Sequence, residues 1–270
     1  SAQQWKVVDM IQKQSGALET YVAGDDDQAI FRWAGADIEH FIDMANEKSN
    51  NTIIPLTQSY RIPFEVHNLA TKLANSISKR IPKQYLPTDH TGKRQTHIVR
   101  SLNQGLASGE WLILCRTHEI VKQVCESLEM YGWLYKRYGQ SVISFNYIEA
   151  IRAWTELQNG KTISGIQCDI IYKHMDSTRI KRNYGVFKGK SEGFFNLETL
   201  IADFGLKDYI KVTTEKEVSV KEIAWYDMLN SKGLQKKIKY LRAVMRSGNK
   251  LDSTPRIEVS TIHASKGGER

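Results

Sequence analysis

A strand–helix–strand pattern in the middle of the chain constrains the fold more than any other feature. Trp111-Leu112-Ile113-Leu114-Cys115 is a short apolar run between polar flanks. The segment IVKQVCESLEMYG follows, with Val121, Val124 and Leu128 at helical spacing and Gly132 as the stop. A second strand is predicted over Leu134 to Tyr138. Strands joined by a crossover helix run parallel, because the helix carries the chain back to the edge from which it started. The expected class is α/β with a parallel sheet.

Elsewhere the pattern predicts a helix from Gln4 to about Leu18, a strand over Thr20 to Val22, and an acidic loop after it. A strand is expected at TIIPL, Thr52 to Leu56, and a helix behind Pro63, where Val66, Leu69, Leu73 and Ile77 recur every three or four residues. From about Ser144 to Lys250 short helical patterns follow one another without alternating strands, which reads as a mostly helical insertion. The strand Ile257 to Ile262 then looks like the sheet resuming. A length of 270 residues exceeds one typical domain and leaves room for two, or for one with a large insertion.

Composition excludes several classes. With 41% hydrophobic and 25% charged residues and only 5 Pro, the chain is neither disordered nor fibrous. No run approaches the ~20 apolar residues of a membrane span. The opening SAQQWKVVDM lacks a signal-peptide layout, so a cytoplasmic protein is expected. Cys115, Cys125 and Cys168 are odd in number and far apart, and predict free thiols. A net charge of +8 permits a polyanionic partner without naming one.

Chemistry concentrates in three loops. Gly24 to Asp37, GDDDQAIFRWAGAD, sets three carboxylates, an amide and two large aromatics after a predicted strand. Carboxylates there can hold Mg²⁺ or orient water, Gln28 can hydrogen-bond a phosphate oxygen, and Phe31 and Trp33 can stack bases. This loop resembles motif III (GDxxQxIYxFRGA) of the UvrD/Rep/PcrA-like DNA helicases of superfamily one. LTQSYRIP, Leu56 to Pro63, resembles motif IV, and STIHASKGGE, Ser260 to Glu269, resembles motif V, in the family's order. WLILCRTH, Trp111 to His118, is similar to a family strand ending in Arg-Thr.

The resemblance implies RecA-like motor domains with a parallel sheet and a helical inserted domain. It divides the chain into 1–55 (end of the first motor), 56–147 (start of the second), 148–254 (insertion) and 255–270 (return to the second motor). It implies an ATP-dependent helicase or translocase running 3′ to 5′ on single-stranded DNA and at duplex junctions, with ATP and Mg²⁺ as cofactors. In the catalytic roles Gln28 would sense the γ-phosphate and Arg61 would act as an arginine finger. Tyr60 would stack on adenine, Glu269 would accept from the ribose with Gly267 beside it, and Asp25 would serve the metal. Phe31, Trp33, Thr261, His263 and Lys266 would contact DNA. Ala34, Ser59 and Gly268 depart from the commonest family residues. No phosphate loop GxxxxGK[ST] or DExx pair occurs in the sequence, since Gly160-Lys161-Thr162 has Thr155 where the first glycine should stand. The chain is therefore expected to be part of a longer helicase and inactive alone. A non-catalytic helicase-like binding module is the alternative.

The last predicted surface is an amphipathic helix. Lys232, Lys236, Lys239, Arg242 and Arg246 form a basic stripe opposite Leu234, Ile238, Leu241 and Met245. Lys236, Lys239 and Arg242 are the candidate DNA contacts there. A second basic run, Lys173 to Lys190, carries Lys173, Arg179, Lys181, Arg182, Lys188 and Lys190.

Overall fold

The computed structural model describes residues 1–16, 19–46, 51–96, 105–182, 192–214, 216–229 and 233–268. The chain forms two compact units, Ser1–Ile98 and Val99–Arg270, each with its own internal contacts.

In the first unit, α1 (Ala2–Ser15) opens with a capping box. The Ser1 hydroxyl accepts from the Gln4 N–H, the Gln4 side chain answers the Ser1 backbone, and Gly16 closes the helix at a left-handed φ of 62°. Thr20 to Val22 does not form the expected strand among the described residues. Two 3₁₀ turns follow, Asp26–Gln28 and Arg32–Ala34, and then α2 (Glu39–Met44). The expected strand over Thr52 to Leu56 is also absent. Ile53, Ile54 and Leu56 are exposed, so this apolar run has no sheet to join among the described residues. α3 (Phe64–Ala74) starts behind Pro63, which sits at the N-cap with ψ 156°. Residues 86–91 run beside 57–65, with Ser59 N–H donating to the Leu86 carbonyl at 2.9 Å and Phe64 N–H to the His90 carbonyl at 3.0 Å.

Among the described residues, all the buried hydrophobic ones lie in the second unit. Its main sheet uses β1 (Trp111–Cys115), β2 (Tyr135–Arg137), β3 (Gln140–Ser141) and β8 (Ile257–Thr261), in the order β1-β8-β2-β3. β8 pairs parallel with β1 (Trp111 opposite Ile257) and with β2 (Tyr135 opposite Ile257), while β2 and β3 form an antiparallel hairpin. The sheet is thus mixed, and its parallel part is the one the strand–helix–strand pattern predicts. α4 (His118–Tyr131) is the crossover: Thr117 caps its start, Gly132 ends it in the left-handed region, and Val121, Cys125 and Leu128 point inward.

Between β3 and β8 the chain builds α5 (Phe145–Gln158), α6 (Gly165–His174), α7 (Leu197–Asp203), α8 (Trp225–Met228) and α9 (Gln235–Arg246). Two antiparallel ribbons also occur: β4 (Ile163–Ser164) with β5 (Phe194–Phe195), and β6 (Tyr209–Lys211) with β7 (Glu217–Ser219). These strands of two or three residues are too short to show an alternating pattern. Trp154 and Tyr147 anchor the core of the inserted segment, and the Tyr147 hydroxyl donates to the Leu229 carbonyl at 2.6 Å. All three cysteines are free and buried. No helix among the described residues is long and apolar enough to cross a membrane.

α9 returns the chain to the sheet by packing on the end of α4. The Tyr240 hydroxyl donates to the Trp133 carbonyl at 2.8 Å, and the Ser247 hydroxyl to the Gly132 carbonyl at 3.1 Å. A Cβ on Gly132 would lie 2.4 Å from the Ala243 carbonyl oxygen, and φ there is +72°. Gly132→Ala adds backbone strain of about 1–2 kcal/mol and an overpacking cost of about 1–3 kcal/mol. Urea unfolding should therefore show a loss of roughly 2–5 kcal/mol.

Candidate nucleotide and nucleic-acid site

Three adjacent aspartates repel one another unless cations hold them. In the first unit two cations do so, both from the stretch after α3. Arg80 grips Asp27 bidentately, Nε to Oδ1 at 3.0 Å and Nη2 to Oδ2 at 2.7 Å. Its Nη1 also donates to Asn75 Oδ1 at 2.8 Å. The Lys83 ammonium lies among all three carboxylates. It is hydrogen-bonded to Asp26, 2.9 Å from Asp25 and 3.4 Å from Asp27. Asp26, buried, also accepts from the Ile81 N–H at 2.7 Å.

Asp25 caps the first 3₁₀ turn by accepting from the Asp27 N–H, and its Oδ2 accepts from Gln28 Nε2 at 2.7 Å. Burial alone would push the Asp25 carboxyl up. Hydrogen bonds from Lys83, Gln28 and Tyr85, together with the Lys83 charge, outweigh it and hold the carboxyl below its usual range. Burial likewise works against the charged form of Lys83, but the hydrogen bonds and charges of Asp26 and Asp25 raise its pKa. Asp25, the candidate metal residue, thus faces an ammonium. Among the described residues no group of three or more His, Cys, Asp or Glu is arranged to hold a metal ion. Arg80 and Lys83 escaped the sequence reading. The available signal was a Lys-Arg-Ile-Pro-Lys run within reach of an otherwise unbalanced acidic loop.

The second 3₁₀ turn carries the aromatics. Trp33 is 77% exposed and meets Phe31 edge-on, with ring centroids 6.4 Å apart and planes at 62°. In the SYR turn the Ser59 hydroxyl accepts from the N–H groups of Arg61 (3.4 Å) and Ile62 (3.1 Å). That turn leaves Arg61 exposed and Tyr60 90% exposed. A bare ring next to a guanidinium is chemically suited to a base and a phosphate, so the donor set fits a nucleotide.

In the second unit Thr261 ends β8 buried, and its hydroxyl accepts from the Ala264 N–H at 3.2 Å, shaping the turn that follows. His263 is half-buried and Lys266 and Gly267 are exposed on that turn, with Gly267 at φ +84°. Glu269 lies outside the described residues. The turn borders a cleft of about 330 Å³ lined by Tyr138, Ser260, Ala264, Ser265 and Gly268, among others. Tyr138 holds a positive φ of 52°, and its hydroxyl pairs with His118 Nδ1 at 2.6 Å.

On α9, Lys236, Lys239 and Arg246 are exposed, and the Arg242 guanidinium lies 4.2 Å from the Tyr226 ring centre. Lys232 falls outside the described residues. Ile238 and Leu241 are buried as expected, and the expected face fails only in the last turn, where Val244 is buried and Met245 is exposed. The other basic run is differently used. Lys173 pairs with Asp169, Arg179 donates to the Lys211 carbonyl at 2.9 Å and the Asp227 carbonyl at 3.1 Å, and Lys181 donates to the Ile201 carbonyl at 3.1 Å. Lys188 and Lys190 lie outside the described residues.

The acid–amide loop, the exposed aromatic pair and the Tyr-Arg turn all lie in the first unit. Residues 1–49 match the family model of the UvrD/REP helicase N-terminal domain. The ATP-dependent DNA helicase PcrA of Bacillus subtilis (strain 168) is 37% identical over 62 residues, 23% of this chain and 8% of that protein. PcrA of Leuconostoc citreum is 24% identical over 153 residues, covering 50% and 20%. PcrA of Staphylococcus aureus (strain Mu50 / ATCC 700699) is 31% identical over 83 residues, covering 31% and 11%. Over these stretches the chain is similar to UvrD/PcrA helicases. Its matches span between 8% and 20% of the length of these relatives. No solved structure matches.

Because the folded pKa of Asp25 is depressed, its contribution to stability is present above the unfolded value of about 3.9 and is lost as pH falls through the lower folded one. Lys83→Met removes the largest lowering influence. A carboxyl ¹³C NMR titration should then show Asp25 titrating at higher pH in the variant than in the wild type.

Proposed function

We propose that this chain works within an ATP-dependent DNA helicase or translocase of the UvrD/PcrA type, moving 3′ to 5′ on single-stranded DNA. The observation that carries this reading is the acidic loop itself. A few residues after an amide tied into a rigid turn, the same loop presents an exposed Trp beside a Phe. A phosphate-sensing group and a base-stacking surface so close in sequence can be moved together, which is what a motor requires. The match of residues 1–49 and the PcrA relatives, named ATP-dependent DNA helicases, support it.

ATP with Mg²⁺, when bound, supplies the phosphoryl group whose transfer drives movement. Tyr60 offers a face for the adenine. Arg61, always charged and forked, stabilises charge spread over the γ-phosphoryl oxygens, a role worth about 10³ to 10⁵ in rate in related hydrolases. The Gln28 amide nitrogen has two hydrogens. Asp25 holds this amide, and we assign the Gln28 side chain to the γ-phosphate. Mg²⁺ is assigned mainly to residues other than these, since Asp25 engages Lys83. Trp33 and Phe31 stack bases without reading sequence, and His263 and Lys266 serve the strand in the second unit with Thr261 shaping their turn. Gly267 and Glu269 complete the nucleotide set. The division into 1–55, 56–147, 148–254 and 255–270 is proposed with it.

Three measurements test this reading. Oligo-dT binding should weaken by about 1–3 kcal/mol in Trp33→Ala. It should also lose salt dependence, about 0.7 log units of slope per phosphate contact on a single strand, when Lys236, Lys239 and Arg242 are neutralised together. Unchanged binding in both would remove DNA from the proposal. Lacking a phosphate loop and a DExx pair in its 270 residues, the chain by itself should show no DNA-stimulated phosphate release. Robust turnover would instead require a different nucleotide site.

A further inference from the structure

Arg80 and Lys83 are two half-buried cations with no assigned role, and they reach back more than fifty residues to the loop that carries Gln28. Each end of this link is anchored. At the loop end, Arg80 fixes Asp27 through two hydrogen bonds, and Lys83 joins Asp25, Asp26 and Asp27. Asp25 then holds the Gln28 amide. At the other end, Arg80 Nη1 is tied to Asn75, the C-cap residue of α3, and the Ile81 N–H is tied to Asp26. α3 itself begins three residues after Arg61. Eleven residues of helix make a strut of ~16 Å between the Tyr60-Arg61 turn and the cations.

We propose that Arg80 and Lys83 are positioning residues: a cationic clasp that sets the Gln28 amide and couples the Gln28 loop to the Tyr60-Arg61 turn through α3. The clasp deepens the proposed function and rests on it for what Gln28 senses. Under the domain division proposed above, it crosses from the first motor domain to the second, so a movement of either one reaches the other through hydrogen-bonded ion pairs. A guanidinium is the group for this role. Its planar fork fixes the orientation of a carboxylate, and an ammonium alone would fix only distance.

The test uses Arg80→Gln, Arg80→Lys and the charge exchange Asp27→Arg with Arg80→Asp. In the ¹⁵N-labelled chain, the Gln28 side-chain amide resonances should move towards random-coil positions in Arg80→Gln and return in the exchanged pair. In the ATP-hydrolysing protein that carries this sequence, Arg80→Gln should lower the oligo-dT-stimulated kcat about tenfold. KM for ATP and the Kd for oligo-dT should stay within about twofold, and the exchanged pair should recover most of kcat. A staple that serves only stability would lower the melting temperature and leave the Gln28 resonances and kcat where they were. That result overturns the proposal, as does an exchanged pair that folds but restores neither. If Arg80→Gln does not fold, Arg80→Lys, with the charge but without the fork, and the exchanged pair decide by the same readouts. A wild-type protein with no oligo-dT-stimulated hydrolysis would remove the helicase reading, while the Gln28 resonances would still decide the clasp.

Discussion

The second unit depends on β8 lying between β1 and β2. Neither of those strands pairs with the other, so the sheet does not exist until residues 257–261 arrive from more than a hundred positions downstream of β2. Closing a flexible loop of that length costs about 4 kcal/mol of chain entropy. The inserted segment lowers this cost by folding on itself and ending where it began. α9 packs on the end of α4, Ser247 and Asn249 hydrogen-bond the Gly132 carbonyl, and Arg256 donates to the carbonyls of Leu106, Ala107 and Gly109 beside the start of β1. Gly132 therefore does two things. Its left-handed φ ends the crossover helix, and its missing Cβ lets α9 approach closely enough to deliver β8.

The same strand delivers chemistry. β8 ends at Thr261, and the next six residues turn sharply under the Thr261 hydroxyl, placing His263 and Lys266 at the end of a parallel strand. Ligands of open α/β sheets gather at the carboxyl ends of strands because loops there are free to vary while the sheet stays fixed. The cleft beside this turn, with Tyr138 held in an unfavoured backbone conformation by His118 and the Val259 carbonyl, follows that rule.

Elements with a strong local signal were legible in the sequence. The apolar run at Trp111 to Cys115 has polar flanks, the helix closed by Gly132 combines periodicity with a stop, and the strand Ile257 to Thr261 ends at a Ser/Lys/Gly-rich turn. Thr20 to Val22 and Thr52 to Leu56 have strand composition without partners among the described residues, and a strand is defined by pairing that composition cannot supply. β4 to β7 are too short to carry a period. At the acidic loop, residue types were readable but their partners were not. Arg80 and Lys83 lie beyond a helix, and which cations meet Asp25 to Asp27 is a tertiary fact. The lysines and arginines of the 173–182 run illustrate the converse. In the sequence they form a basic run, yet Arg179 and Lys181 are bound to backbone carbonyls.

This use of charge separates two populations of cations that the net +8 merges. Arg80, Lys83, Arg179 and Arg256 hold the fold by meeting carboxylates or carbonyls within the chain. Lys236, Lys239 and Arg246 stand exposed on one face of α9, where each can release a counterion when it meets a phosphate. A surface that only neutralises phosphates binds every sequence alike, as does a Trp that stacks any base. Any discrimination between ligands has to come from groups held in place, as in the first unit, where Asp25 Oδ2 accepts from Gln28 Nε2 at 2.7 Å and the Ser59 hydroxyl accepts from the Arg61 and Ile62 N–H groups.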